Sequence, residues 1–353
     1  MDIPPAGRMG KRSMDDLAFG AHNKRGDFSP NARPEIAPFW AWPPQAAKTL
    51  KWLPSYFWPW NAFYLATTLA YWRWIIPDAE TMKTLSWGWP LWLYAVNACA
   101  IFAMYGSVEL FYYVKRKQGA RFKYNAKFPA DNPSDVFWFK SQNIDNFLRS
   151  FLIGIPCWTI IEVAMLWAFA NGYGHLVSWS EHPVYLAVLA LLAPMIHEAH
   201  FFAIHRAIHT PFLYKWVHSV HHNSINPSPW SSHSMHPVET LLYHGVALWH
   251  LVIPSNPILG LFQLHIAGFG ALNGHIGFDK LELTDEAALD SHAYSHYLHH
   301  KYFEVNYGGD GVVPLDKWFG TWHDGSKEGE ALMNARFETK RARVNAKRGN
   351  AAS

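Results

Sequence analysis

Long apolar blocks separated by short polar or basic segments dominate the first two thirds of this chain of 353 residues. Four of them hold roughly 20 mostly apolar residues each, enough to cross the hydrocarbon layer of a bilayer as a helix. They run from Ser55 to Pro77, from Trp89 to Val114, from Phe151 to Asn171 and from Pro183 to His205. The pattern predicts an all-α, polytopic membrane protein with four transmembrane helices within residues 55–205.

Two shorter apolar runs follow, from Val238 to Pro254 and from Pro257 to Leu272. At about 16 residues each they are marginal for spanning a bilayer. The two prolines mark a turn between the runs. We therefore expect a re-entrant or interfacial hairpin over residues 238–272, which keeps the segments before and after it on one side of the membrane.

The loops between the blocks predict the orientation. Residues 115–150 carry Lys115, Arg116, Lys117, Arg121, Lys123 and Lys127, whereas residues 172–182 carry no Lys or Arg. Cytosolic loops are enriched in these residues. The N-terminus and loop 115–150 are thus expected on the cytosolic side of a bacterial inner membrane or the endoplasmic reticulum. The fourth block then runs inward and delivers everything after His205 to that face.

The two ends of the chain are polar. Residues 1–54 form a Pro-rich, basic arm without the apolar run of a signal peptide, and residues 324–353 form a basic tail. Both are expected in the cytosol. The net charge of +3 does not suggest nucleic acid, and only two cysteines occur, Cys99 and Cys157. A disulfide framework and a cysteine-ligated metal site are therefore not expected.

Histidine is the outlier of the composition, because 17 of the 21 histidines lie between His197 and His300. Three boxes stand out by their spacing. They are His205/His209 (i, i+4), His218/His221/His222 (i, i+3, i+4) and His296/His299/His300, which repeats the second pattern. Residues three and four apart share one helix face. Eight imidazoles converging in this way exceed what one ion takes, and they suggest two metal ions bound within a catalytic region over residues 206–323.

Further residues flank the boxes. His236 and His275 are candidates to complete the coordination shells. Supporting or pocket roles around the ligands are expected for Glu198, His200, His233, Glu239, Asp279 and His292, of which the acids could orient ligand N–H groups. His244, His250 and His265 lie in apolar runs and are expected to be structural.

The residues alone leave alternatives open. Neutral imidazole suits iron, zinc, copper and nickel. No Glu-x-x-His occurs, which disfavours the soluble carboxylate-bridged di-iron bundles. His197 and His200 are one residue too close for a zinc-protease motif. A haem held by two histidines, in an electron-carrying membrane protein, leaves most box histidines without a role. A non-catalytic metal-binding membrane protein is the other alternative.

The boxes resemble those of the fatty acid hydroxylase/sterol desaturase superfamily of integral-membrane di-iron enzymes. The similarity includes Leu213-Tyr214-Lys215 before the second box, Ser232-His233-Ser-Met-His236-Pro, His275-Ile-Gly-Phe278, Asn306-Tyr307-Gly308 and Asp316-x-x-Phe319-Gly320-Thr321. It covers roughly residues 183–323 and looks closest to the sterol C-5 desaturase branch. Glu198 stands where that superfamily usually has Asp, and Ala203 where it often has Trp.

The resemblance implies two Fe²⁺ ions, with O2 as co-substrate. It assigns ligand roles to the eight box histidines and, less firmly, to His236 and His275. The implied reaction is hydroxylation or desaturation of an unactivated C–H bond in a membrane lipid, sterol or fatty-acyl chain. No His-Pro-Gly-Gly haem motif occurs. Electrons are therefore expected from a separate donor of the cytochrome b5 or ferredoxin type.

Overall fold

A computed structural model describes residues 16–129, 133–309 and 311–351 of the chain; the first fifteen residues of the predicted arm lie outside this range. A small N-terminal unit comes first. It consists of α1 (Asp16–Phe19) and the antiparallel strands β1 (Gly20–His22) and β2 (Phe28–Pro30), in which Gly20 pairs with Pro30. A single 3-10 turn, Pro38–Trp40, ends this unit.

The first predicted membrane block is divided between two helices. They are α2 (Ala46–Phe57) and α3 (Trp60–Trp74), and the short α4 (Ala79–Lys83) follows them. Pro59 separates the first two, because its backbone nitrogen cannot donate to a continuing helix. With 15 residues, α3 is about 22 Å long, shorter than the roughly 30 Å hydrocarbon layer.

Three longer helical segments are long and apolar enough to cross a membrane, and they are Gly88–Val114, Gln142–Ala170 and Pro183–Ile208. The first joins α5 (Gly88–Val108) to a π-helical turn, Glu109–Val114. The second begins after a 3-10 turn, Trp138–Lys140, and joins α6 (Gln142–Arg149), a π-helical turn Ser150–Gly154, and α7 (Ile155–Ala170). The third is α8 (Pro183–Ile208), which starts at a proline, the residue favoured in the first helical turn.

The region after α8 begins with short elements. They are α9 (Pro211–Leu213), a π-helical turn Tyr214–His218, α10 (Ser219–His222) and a 3-10 turn Pro229–His233. The predicted hairpin then appears as α11 (Pro237–His244), a 3-10 turn Gly245–Leu248, α12 (Trp249–Val252) and α13 (Pro257–His275). The Asn256 side chain caps α13 by accepting from the Ile258 amide at 3.1 Å. Most residues of α13 are buried, so this helix forms the centre of the bundle.

The remaining elements close the box region. They are the antiparallel strands β3 (Lys280–Glu282) and β4 (Ala288–Asp290), then α14 (Tyr294–Tyr302), α15 (Leu315–Trp318) and α16 (Lys327–Ala351). The chain is thus mostly helical, with two small two-stranded sheets in place of the all-α fold expected from the sequence.

The contacts define two ends of the bundle. At one end the arm joins the box region and the basic loop: the Phe28 amide donates to the Lys123 carbonyl at 2.9 Å, and the Trp40 indole donates to the Val312 carbonyl at 2.8 Å. At the other end the hairpin tip joins the loop after α7, where the Ser255 amide donates to the His175 carbonyl at 2.8 Å. The tip of the hairpin therefore lies at the end of the bundle opposite to the arm and the basic loop.

Candidate metal centre

Nine histidines form two adjacent groups whose ring nitrogens lie within 4.8 Å of one another in each group. The five-histidine group contains His205, His209, His218, His222 and His299, and the four-histidine group contains His221, His275, His296 and His300. All are buried except His209, which is partly exposed. Each group is able to hold a metal ion.

The two His-x-x-His-His boxes contribute to both groups in a reciprocal way. His218 and His222 belong to the five-histidine group, whereas His221 belongs to the four-histidine group. The second box does the reverse: His296 and His300 join the four-histidine group and His299 joins the other. Residues i and i+4 differ by about 40° around a helix, while i+3 lies about 100° from i+4. Each box therefore presents a pair to one ion position and a single ring to the other.

Hydrogen bonds fix the protonation pattern of five of these rings. Four Nδ1–H groups donate to backbone carbonyls, which can only accept, and the fifth Nδ1 pairs with the Glu239 carboxyl group. The pairs are His205 with the Tyr307 carbonyl (2.8 Å), His218 with Glu239 Oε1 (2.7 Å), His221 with the Ser234 carbonyl (3.3 Å), His275 with the Ala271 carbonyl (2.8 Å) and His299 with the Val305 carbonyl (2.7 Å). In a neutral imidazole protonated at Nδ1, Nε2 carries the lone pair. These Nε2 atoms are therefore free to bind metal.

The Nε2 atoms face one another at short distances. His205 Nε2 lies 3.1 Å from His218 Nε2, and His221 Nε2 lies 3.0 Å from His275 Nε2. Two lone pairs at this distance repel each other unless a cation binds both. A separation of about 3 Å is also what two neighbouring ligands of one ion show when each bond is about 2.1 Å long. The donor set thus fits one metal ion in each group.

Burial keeps these rings neutral. It lowers the pKa of His218, His221 and His222 well below the usual histidine range, and neighbouring imidazoles add to the effect. The same two causes lower the pKa of His296 and His300. Neutral rings are required for ligation, so the site is prepared to bind a cation at physiological pH.

One loop orients two rings of the five-histidine group. It supplies the Val305 and Tyr307 carbonyls that hold His299 and His205. Between them, Asn306 adopts a left-handed conformation (φ 50°). Its side-chain Nδ2 donates to the Ser295 and His323 carbonyls at 3.1 and 2.8 Å. Asparagine tolerates this conformation better than most side chains.

Two carboxylates hold the same loop. Asp316 accepts from the Tyr307 and Gly308 amides at 2.9 and 2.6 Å. Glu198 accepts from the Gly311 and Val313 amides at 2.7 and 2.8 Å. Glu198 therefore supports the grouped histidines indirectly, through the loop backbone that it binds.

Other residues singled out by sequence lie at varying distances from the histidine groups. Glu239 bonds directly to His218. His236 stands outside both groups, where its Nδ1 accepts from the Val238 amide at 3.2 Å and caps α11. His292 is exposed, with φ 58°.

The remaining three predicted residues bond away from the groups. The His200 Nε2–H donates to the Leu242 carbonyl at 2.8 Å, and His233 Nε2–H donates to the Gly268 carbonyl at 2.9 Å. Asp279 accepts from the Tyr124 hydroxyl at 3.1 Å. Of these three residues, His233 is adjacent in sequence to Ser234, whose carbonyl accepts from the His221 ring.

Sequence reasoning missed the backbone carbonyls and Asp316 as orienting groups. A carbonyl has no signature in a sequence. The Asn306-Tyr307-Gly308 run and Asp316, noted as part of the resemblance, were the available signal.

Comparisons with known proteins agree with this arrangement. Residues 190–321 match the fatty acid hydroxylase family. Similar curated proteins include Delta(7)-sterol 5(6)-desaturases of Aspergillus fumigatus (28% identity over 162 residues, 44% of each chain) and Candida albicans (29% over 162 residues, 44% of this chain and 40% of the relative). One from Gibberella zeae is 27% identical over 180 residues, 48% of this chain and 53% of the relative.

The matched region therefore spans about half the length of these relatives. No solved structure shows a significant match to the chain.

Proposed function

Because residues 190–321 belong to the fatty acid hydroxylase family, we propose that this protein is a di-iron membrane oxidoreductase. It hydroxylates or desaturates an unactivated C–H bond in a membrane lipid, with O2 as co-substrate. The observation that supports this proposal most directly is the pair of adjacent histidine groups with opposed Nε2 atoms. The residue range 206–323 is the proposed catalytic region.

The proposed ligands are the nine grouped histidines, with five for one Fe²⁺ and four for the other. When bound, two iron ions supply the electrons and the oxidising power needed to use O2 on a C–H bond. Ligation by neutral imidazoles leaves the positive charge of the metal pair uncompensated. A centre of that kind is stabilised in its reduced state, which suits a site that must be reduced before O2 arrives.

The protein residues around the ligands hold their orientation. Backbone carbonyls and Glu239 fix which ring nitrogen carries the proton. Such contacts keep a ring aimed at its ion and raise its basicity. The near-complete burial of the groups excludes bulk water, which favours reaction with an apolar substrate over loss of the oxidant to solvent.

We propose four membrane crossings before the box region, with both chain ends and the metal centre in the cytosol. The arm and the box region share one end of the bundle. At the end of α3, the Ile75 carbonyl accepts from the Trp92 indole at 3.0 Å, near the start of α5. We propose that the chain changes ends between residues 40 and 88, so that α3 is a crossing in addition to the three longer segments. The basic loop lies at the same end as the boxes, in keeping with the cytosolic preference of Lys and Arg.

The proposed partners are a lipid substrate from the bilayer and a separate electron-carrying protein. The family region suggests the lipid, and the similar sterol desaturases suggest a sterol-like ring system as one class to test.

The experiment compares lipids of cells with and without the protein by mass spectrometry, together with metal analysis of the purified protein. A gain of one oxygen indicates hydroxylation, and a loss of two hydrogens indicates desaturation. Two iron ions per chain with O2-dependent lipid oxidation support the proposal. A Soret band, or metal uptake without any O2 consumption, contradicts it.

A further inference from the structure

Phe201 is the one apolar ring described here that packs against ligands of both histidine groups. Its centroid lies 4.6 Å from the His205 ring and 6.2 Å from the His296 ring. These two imidazoles are themselves 6.2 Å apart and belong to different groups. Phe201 is only partly buried, so it stands between the metal centre and the outside of the bundle.

A small apolar cluster surrounds Phe201. It is separate from the main core and consists of Met235, Tyr243, Val246, Ala267 and Ala271, with Ile196, Phe201 and Ile204 packed against it. These residues come from α8, α11, α13 and the segments beside them. The Tyr243 hydroxyl donates to the Ala267 carbonyl at 3.0 Å, which satisfies its polar end. The cluster thus offers hydrocarbon surface directly beside the ligand rings.

The outer edge of this cluster is a seam between α8 and α11. His200 joins its two sides, because its Nε2–H donates to the Leu242 carbonyl at 2.8 Å and its Nδ1 accepts from the Trp249 indole at 3.2 Å. The surface around this bridge is apolar and exposed, with Leu242 42% and Trp249 48% exposed. Exposed apolar surface on a membrane bundle faces lipid.

We propose that the lipid substrate enters laterally through the α8–α11 seam, with Phe201 setting how the reacting carbon approaches the metal pair. The inference rests on the proposed function and adds the route and the class of ligand. The segment that enters is uncharged and apolar, since the described lining is hydrocarbon apart from the Tyr243 hydroxyl, which is bonded to Ala267, and the His197 and His200 rings. The charged or polar headgroup stays at the membrane surface. Phe201 is a specificity-determining residue in this scheme, and the two hydrogen bonds of the His200 ring link the sides of the seam.

The test uses the full-length, metal-loaded protein in lipid nanodiscs with a diazirine-bearing long-chain hydrocarbon probe. Labelling of residues 196–204 and 235–246 should saturate as the probe concentration rises, because a site has a fixed capacity. Labelling of the lipid-facing Phe102, which is 58% exposed on α5, should rise without saturation.

Two substitutions at Phe201 sharpen the test, with Phe102→Trp as the matched control. Phe201→Trp fills the space beside His205 and should remove saturable labelling while iron content stays at the wild-type level. Turnover should fall by about 100-fold, the loss expected when a reacting atom is displaced by about 1 Å. Phe201→Leu should keep labelling and shift the position of oxidation along the substrate. Phe102→Trp should change neither the labelling nor the position of oxidation.

The outcomes separate this inference from the proposed function. The proposed entry route is wrong if saturable labelling maps to other residues. It is also wrong if Phe201→Trp shows the same labelling and turnover as the wild-type protein. Saturable labelling at the seam in a wild-type protein that oxidises no lipid supports the seam and overturns the proposed function. If Phe201→Trp loses metal, the Phe201→Leu variant decides: unchanged product position overturns the role of Phe201, and a shifted position supports it.

Discussion

Replacement of Glu239 by glutamine tests the one carboxyl group, among the described residues, that bonds directly to a grouped histidine. Glu239 Oε1 accepts from His218 Nδ1 at 2.7 Å, and its second oxygen is buried without a partner. Glutamine keeps the size and can still accept through its carbonyl oxygen. A charged acceptor, however, makes a bond roughly twice as strong as a neutral one, and removal of such partners costs about 10- to 100-fold in metal affinity.

We expect Glu239→Gln to weaken Fe²⁺ binding by about tenfold, the lower end of that range, which equals about 1.4 kcal/mol. Competition against a chelator, with Co²⁺ as a spectroscopic substitute, measures the change. The unfolding midpoint of the metal-free protein should hardly move, because the side-chain volume is preserved. Glu162→Gln is the control, since this buried carboxylate bonds to Asn97 at 2.7 Å and to no grouped histidine. Equal metal affinity in Glu239→Gln and wild type would refute the reasoning.

Three further predictions concern the ligands and their packing. His299→Ala should abolish one metal site and lipid oxidation, measured as iron per chain and product yield; full metal content contradicts the assignment. Gly274→Ala should perturb the four-histidine group, because an added Cβ lies 3.0 Å from the His296 ring. The Co²⁺ spectrum of the loaded protein should change, and an unaltered spectrum counts against the close packing. Gly277→Ala should destabilise the fold by about 1–3 kcal/mol, since φ is +73° and the added Cβ would overlap the Tyr113 hydroxyl. Denaturant unfolding checks this, and a wild-type midpoint contradicts it.

The sequence predicted the longest helices of the bundle. Length and hydropathy were sufficient for the blocks that became α5, α7 and α8, because a membrane span is a local property of about 20 residues. The first block was different. Pro59 divides it into α2 and α3, of 12 and 15 residues, and a crossing at this position stays a proposal. The hairpin was expected to be re-entrant or interfacial, and its tip contacts the loop after α7. Run length does not reveal how deeply a helix pair is inserted.

The choice between His236 and His275 depended on tertiary structure. Both flank the boxes and were equal candidates by sequence. His275 ends α13 with its Nδ1–H bonded to the carbonyl of Ala271, which aims Nε2 at His221. His236 precedes α11 and uses its ring to cap that helix.

The box spacing alone determined that the imidazoles of each box would lie close together, because helical periodicity is built into the sequence. Only the folded chain decided that the pair from one box meets the single ring from the other, and that the Val305 and Tyr307 carbonyls orient the rings. The contacts between rings of different boxes join residues 77 to 90 positions apart. They depend on how α8, α10 and α14 pack, which no local pattern encodes.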